Sequence, residues 1–325
     1  MPGVRLDNPS IYTKDMYKAS FEAADQADTM HDKIFKIVTG VKGAGDKNTQ
    51  LLGLEDLERH TTEGQDINFK SPAEGWSYYT KYWTYSGGLT LTFEAVQDNV
   101  KLGNFLKALA ATWTEASIHT KETFGAYVFN NGGTLSGHWV FNGTHTNQTD
   151  SSGNLMYDSK PLFALSGNEY THKGGGTYYN SVAGYSLSPA NFETIYNLHT
   201  ATNNRNELDR PSKIKVDTLL TSPGADYLMA KRILLTTEGL PGGQLNDKNI
   251  YAGMADPMCW DYLTDSAFYV GKRQHKDFQF HVRQTPLLDF FEDKNNKGYK
   301  ASFIERFGVL LKNRPWARGG GSSSA

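Results

Sequence analysis

The sequence predicts an α+β fold, and three stretches predict it. Residues 88–132 read GLTLTFEAVQDNVKLGNFLKALAATWTEASIHTKETFGAYVFNNG, where a strand-like alternation at 89–93 gives way to apolar residues three and four apart. Residues 75–85, GWSYYTKYWTY, crowd large aromatic strand formers into one short run. Residues 277–311 read mostly as strand, with a turn at Asn295-Asn296-Lys297-Gly298 and an alternating or continuously apolar run at 302–311.

The long helix comes first because the rest is arranged around it. It is expected from about Gln97 to Phe129, a length of about 50 Å at the usual rise per residue. Leu102, Leu106, Leu109, Trp113 and Ala116 form its apolar stripe. Phe124 and Val128 rejoin the stripe after a polar turn at 118–120. Gly103 and Gly125 are weak points, and Gly132-Gly133 is a stop signal. Glu94 and Asp98 lie four apart and could pair as an acid and a base. Acidic residues in a first turn, however, are expected from the helix dipole alone.

Before the helix, residues 10–39 form a loosely amphipathic arm (Tyr12, Met16, Phe21, Ile34, Phe35, Ile37, Val38) that ends in the loop-like GVKGAGDKN. With few apolar residues, the arm has to lie on the body or on a neighbouring chain. A long hairpin follows, with arms around 64–70 and 75–85 and Ser71-Pro72-Ala73-Glu74 at the turn. A two-stranded hairpin is marginal in water, so it needs a surface of its own or of another subunit. Its aromatics could instead form a sugar-binding or base-stacking platform, although strand alternation would split the rings between two faces.

After the helix, residues 134–185 are rich in Gly, Asn, Ser, Thr and Tyr and read as loops with short strands. From 187 the signals sharpen. Ser188-Pro189 caps and opens a helix to about His199. A strand is expected at 213–220, a second helix from Pro223, a polar glycine-rich loop at 239–253, and strands near 258–263 and 267–270. Residues 302–311 suit a central strand against the long helix, and 319–325 read as a flexible Gly/Ser tail.

Composition narrows the function. The chain has 325 residues, 38% of them hydrophobic and 13% aromatic, enough for a sizeable core. A formal net charge of -2 offers no basic patch for sequence-specific nucleic-acid binding. The single cysteine, Cys259, rules out an intrachain disulfide and reads as a small buried hydrophobe. No segment has the apolar length of a signal or membrane span, which points to synthesis and retention in the cytosol. The sequons at 142–144 and 147–149 are then chance matches.

Catalytic patterns are scarce. Neither Gly-x-Ser-x-Gly nor Gly-x-Gly-x-x-Gly occurs, and His-Lys-Gly-Gly-Gly-Thr at 172–177 lacks the Gly-Lys-Ser/Thr of a phosphate loop, so its glycines mark a tight turn. The histidine pairs His138/His145 and His275/His281 do not have zinc spacing. The reading is of a non-enzyme with no cofactor and no metal.

Three motifs in order, GGLTLTFEAVQDN at 87–99, PLFALSGNEYTHKGGGTYYNS at 161–181 and RFGVLLKNRPWAR at 306–318, carry a resemblance. Together with the arm and the hairpin before them and the two-helix segment between them, they resemble the major capsid protein of tailed bacteriophages, the Hong Kong-phage-type fold. Within it they resemble the Mu-like head-subunit branch. The resemblance covers nearly the whole chain, and the order of parts carries it.

It implies an N-terminal arm at 1–48, an extended hairpin loop at 49–88, and a peripheral domain with spine helix at 89–185. An axial domain at 186–282, return strands of the peripheral domain at 283–318 and the tail at 319–325 complete it. Phe69, Lys70, Ser71, Pro72, Glu74, Trp76, Tyr79 and Trp83 would lie over the adjacent subunit. Leu240, Pro241, Gly242, Gly243, Gln244 and Asn246 would approach the capsomer axis. Leu102, Leu106, Leu109 and Trp113 would form the core of the spine.

The implied partners are copies of the chain itself in hexamers and pentamers, a portal, a separate scaffolding protein, a decoration protein and packaged double-stranded DNA held non-specifically. No membrane is involved, and the expected location is the virion, assembled in a bacterial host's cytoplasm. A separate scaffold is expected because fewer than fifty residues precede the hairpin. Lys70 and Lys81 are the hairpin lysines available to a crosslink, and a solvated role is the plainer expectation. Two other readings stay open: an encapsulin-like compartment shell, and a monomeric carbohydrate-binding or hydrolytic protein using Trp76, Tyr79 and Trp83.

Overall fold

A computed structural model describes residues 9–43, 45–51, 66–67, 74–98, 101–133, 140–141, 144–145, 158, 160–202, 205–212, 214–237, 248–264, 266–293 and 298–320. The chain opens with α1 (Pro9–Asp25), α2 (His31–Ile34), β1 (Lys36–Thr39) and β2 (Gly45–Leu51). Strands β3 (Glu74–Lys81) and β4 (Trp83–Leu91) lead into α3 (Phe93–Asp98) and the 29-residue spine α4 (Leu102–Asn130). Short strands follow: β5 (Val140–Phe141), β6 (Thr144–His145), β7 (Tyr170–Thr171), β8 (Thr177–Tyr178) and β9 (Ser181–Val182). The next region holds α5 (Pro189–Asn197), β10 (Thr218–Thr221), α6 (Ala225–Leu235), β11 (Asp256–Cys259) and β12 (Ala267–Gly271). The chain closes with β13 (Phe278–Glu292), β14 (Tyr299–Leu311) and β15 (Trp316–Gly320).

Two sheets organise the body. The first has the order β1-β13-β14-β4, and the second β11-β10-β12-β15-β9. The spine lies on the first sheet because alternate residues of β14 point at it: Phe303 meets Trp113, and Phe307 meets Phe124. The second sheet is buried on both faces. Ala267, Tyr269 and Trp316 face a core shared with Phe124 and Phe129 of α4, while Phe268, Val270 and Ala317 face one shared with α5 and α6. A strand buried on both sides reads as an unbroken apolar run, which is why 267–271 is AFYVG. A third core, with Met16, Leu102, Leu106, Leu288 and Phe303, joins α1 and the first half of α4 to the far end of the first sheet.

The expected α5 is present, with Ser188 accepting a hydrogen bond from the Asn191 amide at 3.2 Å and Pro189 at the first turn. The central strand expected at 302–311 is β14, flanked by β13 and β4. Several expectations need correction. The spine is not one helix from Gln97, because α3 ends at Asp98 and α4 begins at Leu102. Val96 and Leu102 are both buried in the same core. Lys101, just before α4, has φ -113° and ψ 27°, outside the helical region.

The 118–120 stretch is, as expected, a polar turn within the helix. Thr120 and Thr123 stay helical by donating their hydroxyls to the carbonyls of Ala116 and His119. Ala116 is exposed, and the buried line instead runs through Leu106, Ala110, Thr114 and Ser117, leaving Leu109 and Trp113 half-buried on its flank.

The hairpin arm is also different. β3 pairs antiparallel with β2, so Glu74 sits opposite Leu51 in a ladder and not in a turn. The expected partner arm at 64–70 lies outside the described residues except for Asp66 and Ile67, which are exposed and in no strand. The loop expected at 40–48 is strand from Gly45: Gly, Asp and Asn are poor strand formers, but pairing with an aromatic-rich partner overrides propensity.

Gly319 and Gly320 are not tail. Both are buried in β15, and a Cβ on Gly319 would come within 2.3 Å of Phe268 Cζ. Residues 321–325 lie outside the described part. The expected boundary at 282/283 falls inside β13, and β15 joins the second sheet, not the first.

Candidate functional site

The candidate site is the set of surfaces that the described residues leave exposed. The hairpin is the first. Phe69, Lys70, Ser71 and Pro72 lie outside the described residues. Glu74 opens β3 and is exposed; Trp76 and Tyr79 have their backbones in β3, and their side chains lie outside the description. Register places Tyr79 opposite Lys47 and Tyr78 opposite Asn48. The base of the hairpin is anchored where β3 meets β4. Tyr82 is buried with its hydroxyl 2.9 Å from His281 Nδ1, and Lys81 Nζ stands 4.1 Å over the half-buried Trp83 ring.

The spine carries the second feature. Leu102 and Leu106 are buried as expected, and buried polar residues also hold the spine. Glu122, 4% exposed, accepts the Met30 amide at 2.7 Å, the His31 amide at 3.1 Å and His31 Nδ1 at 2.7 Å on one oxygen. Its other oxygen accepts the Trp260 indole N–H at 2.6 Å. One carboxylate thereby ties the α1–α2 junction, the spine and the residue after β11. Burial pushes its pKa up, but the bonds from His31 and Met30 outweigh that and hold it below the ordinary carboxylate value.

One turn earlier, Glu305 of β14 accepts Ser117 Oγ at 2.8 Å and pairs with Lys121 Nζ at 2.7 Å. Burial, then the Glu305 charge, raises the pKa of Tyr85. Nothing in the sequence marks Glu122 or Glu305 among 35 acidic residues. The nearest signal is an acidic residue interrupting an otherwise apolar helix face or central strand.

The third surface surrounds the 239–253 loop. Leu240, Pro241, Gly242, Gly243, Gln244 and Asn246 all lie outside the described residues. The base of the loop is described and is clasped by Asn249. Its amide donates to the carbonyls of Ile233 and Thr236, both at 2.6 Å, and its oxygen accepts the Tyr251 amide at 2.9 Å. Large apolar side chains stand in solvent: Leu235 at 61% exposure and Ile250 at 72%, both next in sequence to residues of the clasp, and Leu228 in the first turn of α6 at 58%. Sequence reading did not single these out.

The remaining chemistry is structural in form. The 172–177 glycines form the β7–β8 turn, where the His172 ring and the Gly176 amide meet the Asp209 carboxylate at 3.1 and 2.8 Å. His199 is buried in a π-turn, Leu198–Thr202, and its pKa is lowered to about 4 by burial, against a hydrogen bond to the Pro315 carbonyl and helped by nearby His275. Cys259 is half-buried, and burial and then Asp261 raise its pKa. Glu94 is exposed in the first turn of α3, and the side chain of Asp98 lies outside the description. His138 and the side chain of His145 also lie outside it, whereas His275 sits 3.8 Å from Asp277 and His281 is taken up by Tyr82. Among the described residues no three His, Cys, Asp or Glu side chains gather as a metal site, and no helix is long and apolar enough to cross a membrane.

No protein-family model matches the chain, and no curated protein matches it. Solved structures do. A chain from the capsid of the cyanophage P-SCSP1u superposes with a TM-score of 0.50 at 10% identity, over 91% of this chain and 89% of that one. A virus-like particle from Pyrococcus furiosus gives 0.50 at 8% identity, over 95% of this chain and 98% of that one. At such identities the likeness speaks to the fold alone. The α+β body, with its spine helix, paired hairpin strands and doubly buried second sheet, has the fold of phage capsid proteins.

Proposed function

We propose that the chain is the major head protein of a tailed bacteriophage, of the Mu-like branch, and builds an icosahedral shell from hexamers and pentamers of itself. The observation that carries this reading is the capsid fold extending over almost the whole chain. Two features of the surface support it. The apolar side chains around the 239–253 loop stand in solvent although the interior is well packed, and patches of that kind mark sites of association. The β2–β3 hairpin is a two-stranded sheet of the kind that needs a surface to lie on.

In this reading the protein does no chemistry and takes no cofactor. It encloses double-stranded DNA without gripping its phosphates, consistent with a net charge of -2. A portal and a separate scaffolding protein complete assembly in the bacterial cytoplasm, with a decoration protein as an outer partner. The likeness to the Pyrococcus furiosus particle favours one second reading, a shell that is not a DNA-filled head.

Light scattering and negative-stain microscopy on one purified sample test both. Closed shells, or rings of five or six that convert to shells, are expected, and nucleic acid inside shells made in cells separates head from compartment. A stable monomer at every concentration would refute the reading.

A further inference from the structure

Among the described residues, the four-stranded sheet ends in two open edges. β4 is nine residues long and, among the described residues, pairs with β14 alone. Its sequence, WTYSGGLTL, holds no charge and no proline, the usual guards of an exposed edge, and Thr84, Ser86, Gly88 and Thr90 are exposed. At the other edge β1, among the described residues, pairs with β13 alone and is exposed over most of its length.

Beside β4, under the spine, lies a notch of about 120 Å³ lined by Tyr85, Gly87, Trp113, Ala116, Thr120 and Phe303. Gly87 keeps it open on the strand side, since even a Cβ there would come 3.3 Å from Trp113 Nε1. The notch is a socket of roughly one aliphatic side chain that the described residues leave unfilled.

The two edges are complementary in direction and in face. β1 runs parallel to β13, while β13 and β4 are both antiparallel to β14, so β1 and β4 point the same way. The sheet of one copy can therefore continue from β4 into β1 of the next without reversal. Ile37, an exposed apolar residue of β1, sits opposite Phe280, whose ring packs on Phe124 of the spine. Ile37 is thus on the spine side of the sheet, the side on which the notch lies.

We propose that β4 is a docking edge for β1 of a second copy of this chain, with Ile37 seated in the notch beside Gly87. The inference rests on the self-assembling reading above and adds the contact. Main-chain bonds along the edge supply affinity, and the notch sets register. A head-to-tail contact of this kind uses two different surfaces and builds rings where the rotation between copies closes.

Hydrogen exchange by mass spectrometry on the full chain, before and after assembly, tests it. Amides in both 36–39 and 83–91 are expected to slow at least tenfold on assembly. Ala116→Arg, at an exposed helical position lining the notch, is expected to keep its circular dichroism and melting curve while the assembled fraction falls at least tenfold. Assembly with unchanged exchange at 83–91, protection there without 36–39, protection only after a different protein is added, or normal assembly of Ala116→Arg would each overturn the docking and leave the shell standing. A chain that never assembles overturns both.

Discussion

Replacing Glu122 with Gln tests how the N-terminal segment is held to the body. The carboxylate accepts four hydrogen bonds, from two backbone amides, one imidazole and one indole. A glutamine oxygen can keep Met30 and His31, but its amide then faces the Trp260 indole N–H, two donors across a gap that is 2.6 Å in the parent. A buried donor without an acceptor costs about 1–3 kcal/mol, and losing the charge opposite His31 adds to it, so about 3 kcal/mol in total is expected. With a urea slope of about 3 kcal/mol per M, the midpoint falls by about 1 M. Trp260→Phe alone costs about 1–2 kcal/mol but removes the opposing donor. The double variant should therefore be more stable than the sum of the singles, by about 1 kcal/mol. Strictly additive costs, or a loss below about 0.5 kcal/mol for Glu122→Gln, would mean that the four contacts do not act through this carboxylate.

Three further outcomes are expected. His199 has its folded pKa lowered from 6.5 to about 4, so the unfolded chain takes up a proton first as pH falls. Its contribution is fully present above pH 6.5 and is lost toward pH 4, about 3 kcal/mol in all; urea midpoints between pH 7.5 and 4.5 should show it, and His199→Gln should flatten that part of the profile. Gly319→Ala puts a methyl into the Phe268 ring and should cost about 1–3 kcal/mol, whereas a disordered tail would tolerate it within about 0.5 kcal/mol, a difference that a melting curve resolves. Ile250→Asp, at a largely solvated side chain, should change stability by less than about 0.5 kcal/mol and yet reduce assembly measured by light scattering; normal assembly would remove that face from the shell contacts.

Periodicity and capping chemistry made the large elements legible. The Ser188-Pro189 start, the unbroken AFYVG run and the alternating 302–311 strand each carry their own local signal, and each took the expected form. What was hidden depended on partners distant in sequence. β2 is strand only because β3 lies beside it, and the inward face of α4 was misread by one position because small and polar residues, Ala110, Thr114 and Ser117, occupy its centre. Ser20 explains one of them, since its hydroxyl meets that of Thr114 at 2.6 Å across 94 residues. Gly319-Gly320 reads as linker unless the Phe268 ring above it is known. Of the site, the exposed apolar rim was illegible because an apolar residue in sequence carries no mark of which side of the surface it will take.

The distribution of polar and apolar groups constrains how such a chain can associate. Strands β12 and β15 send alternate residues into two different cores, so the second sheet cannot shift on one face without disturbing the other. The spine joins that sheet to the first, its leading half packed in the third core and its trailing half in the first, with Glu122 held from two other segments near the junction. Interiors packed in this way are bistable or rigid, not continuously deformable. The large apolar side chains left outside, Phe21, Ile37, Leu235 and Ile250 among them, are attached to this body at its edges and helix faces. Covering them calls for no repacking of the interior. Association through these groups therefore costs little reorganisation, and its specificity has to come from the geometry of the edges that present them.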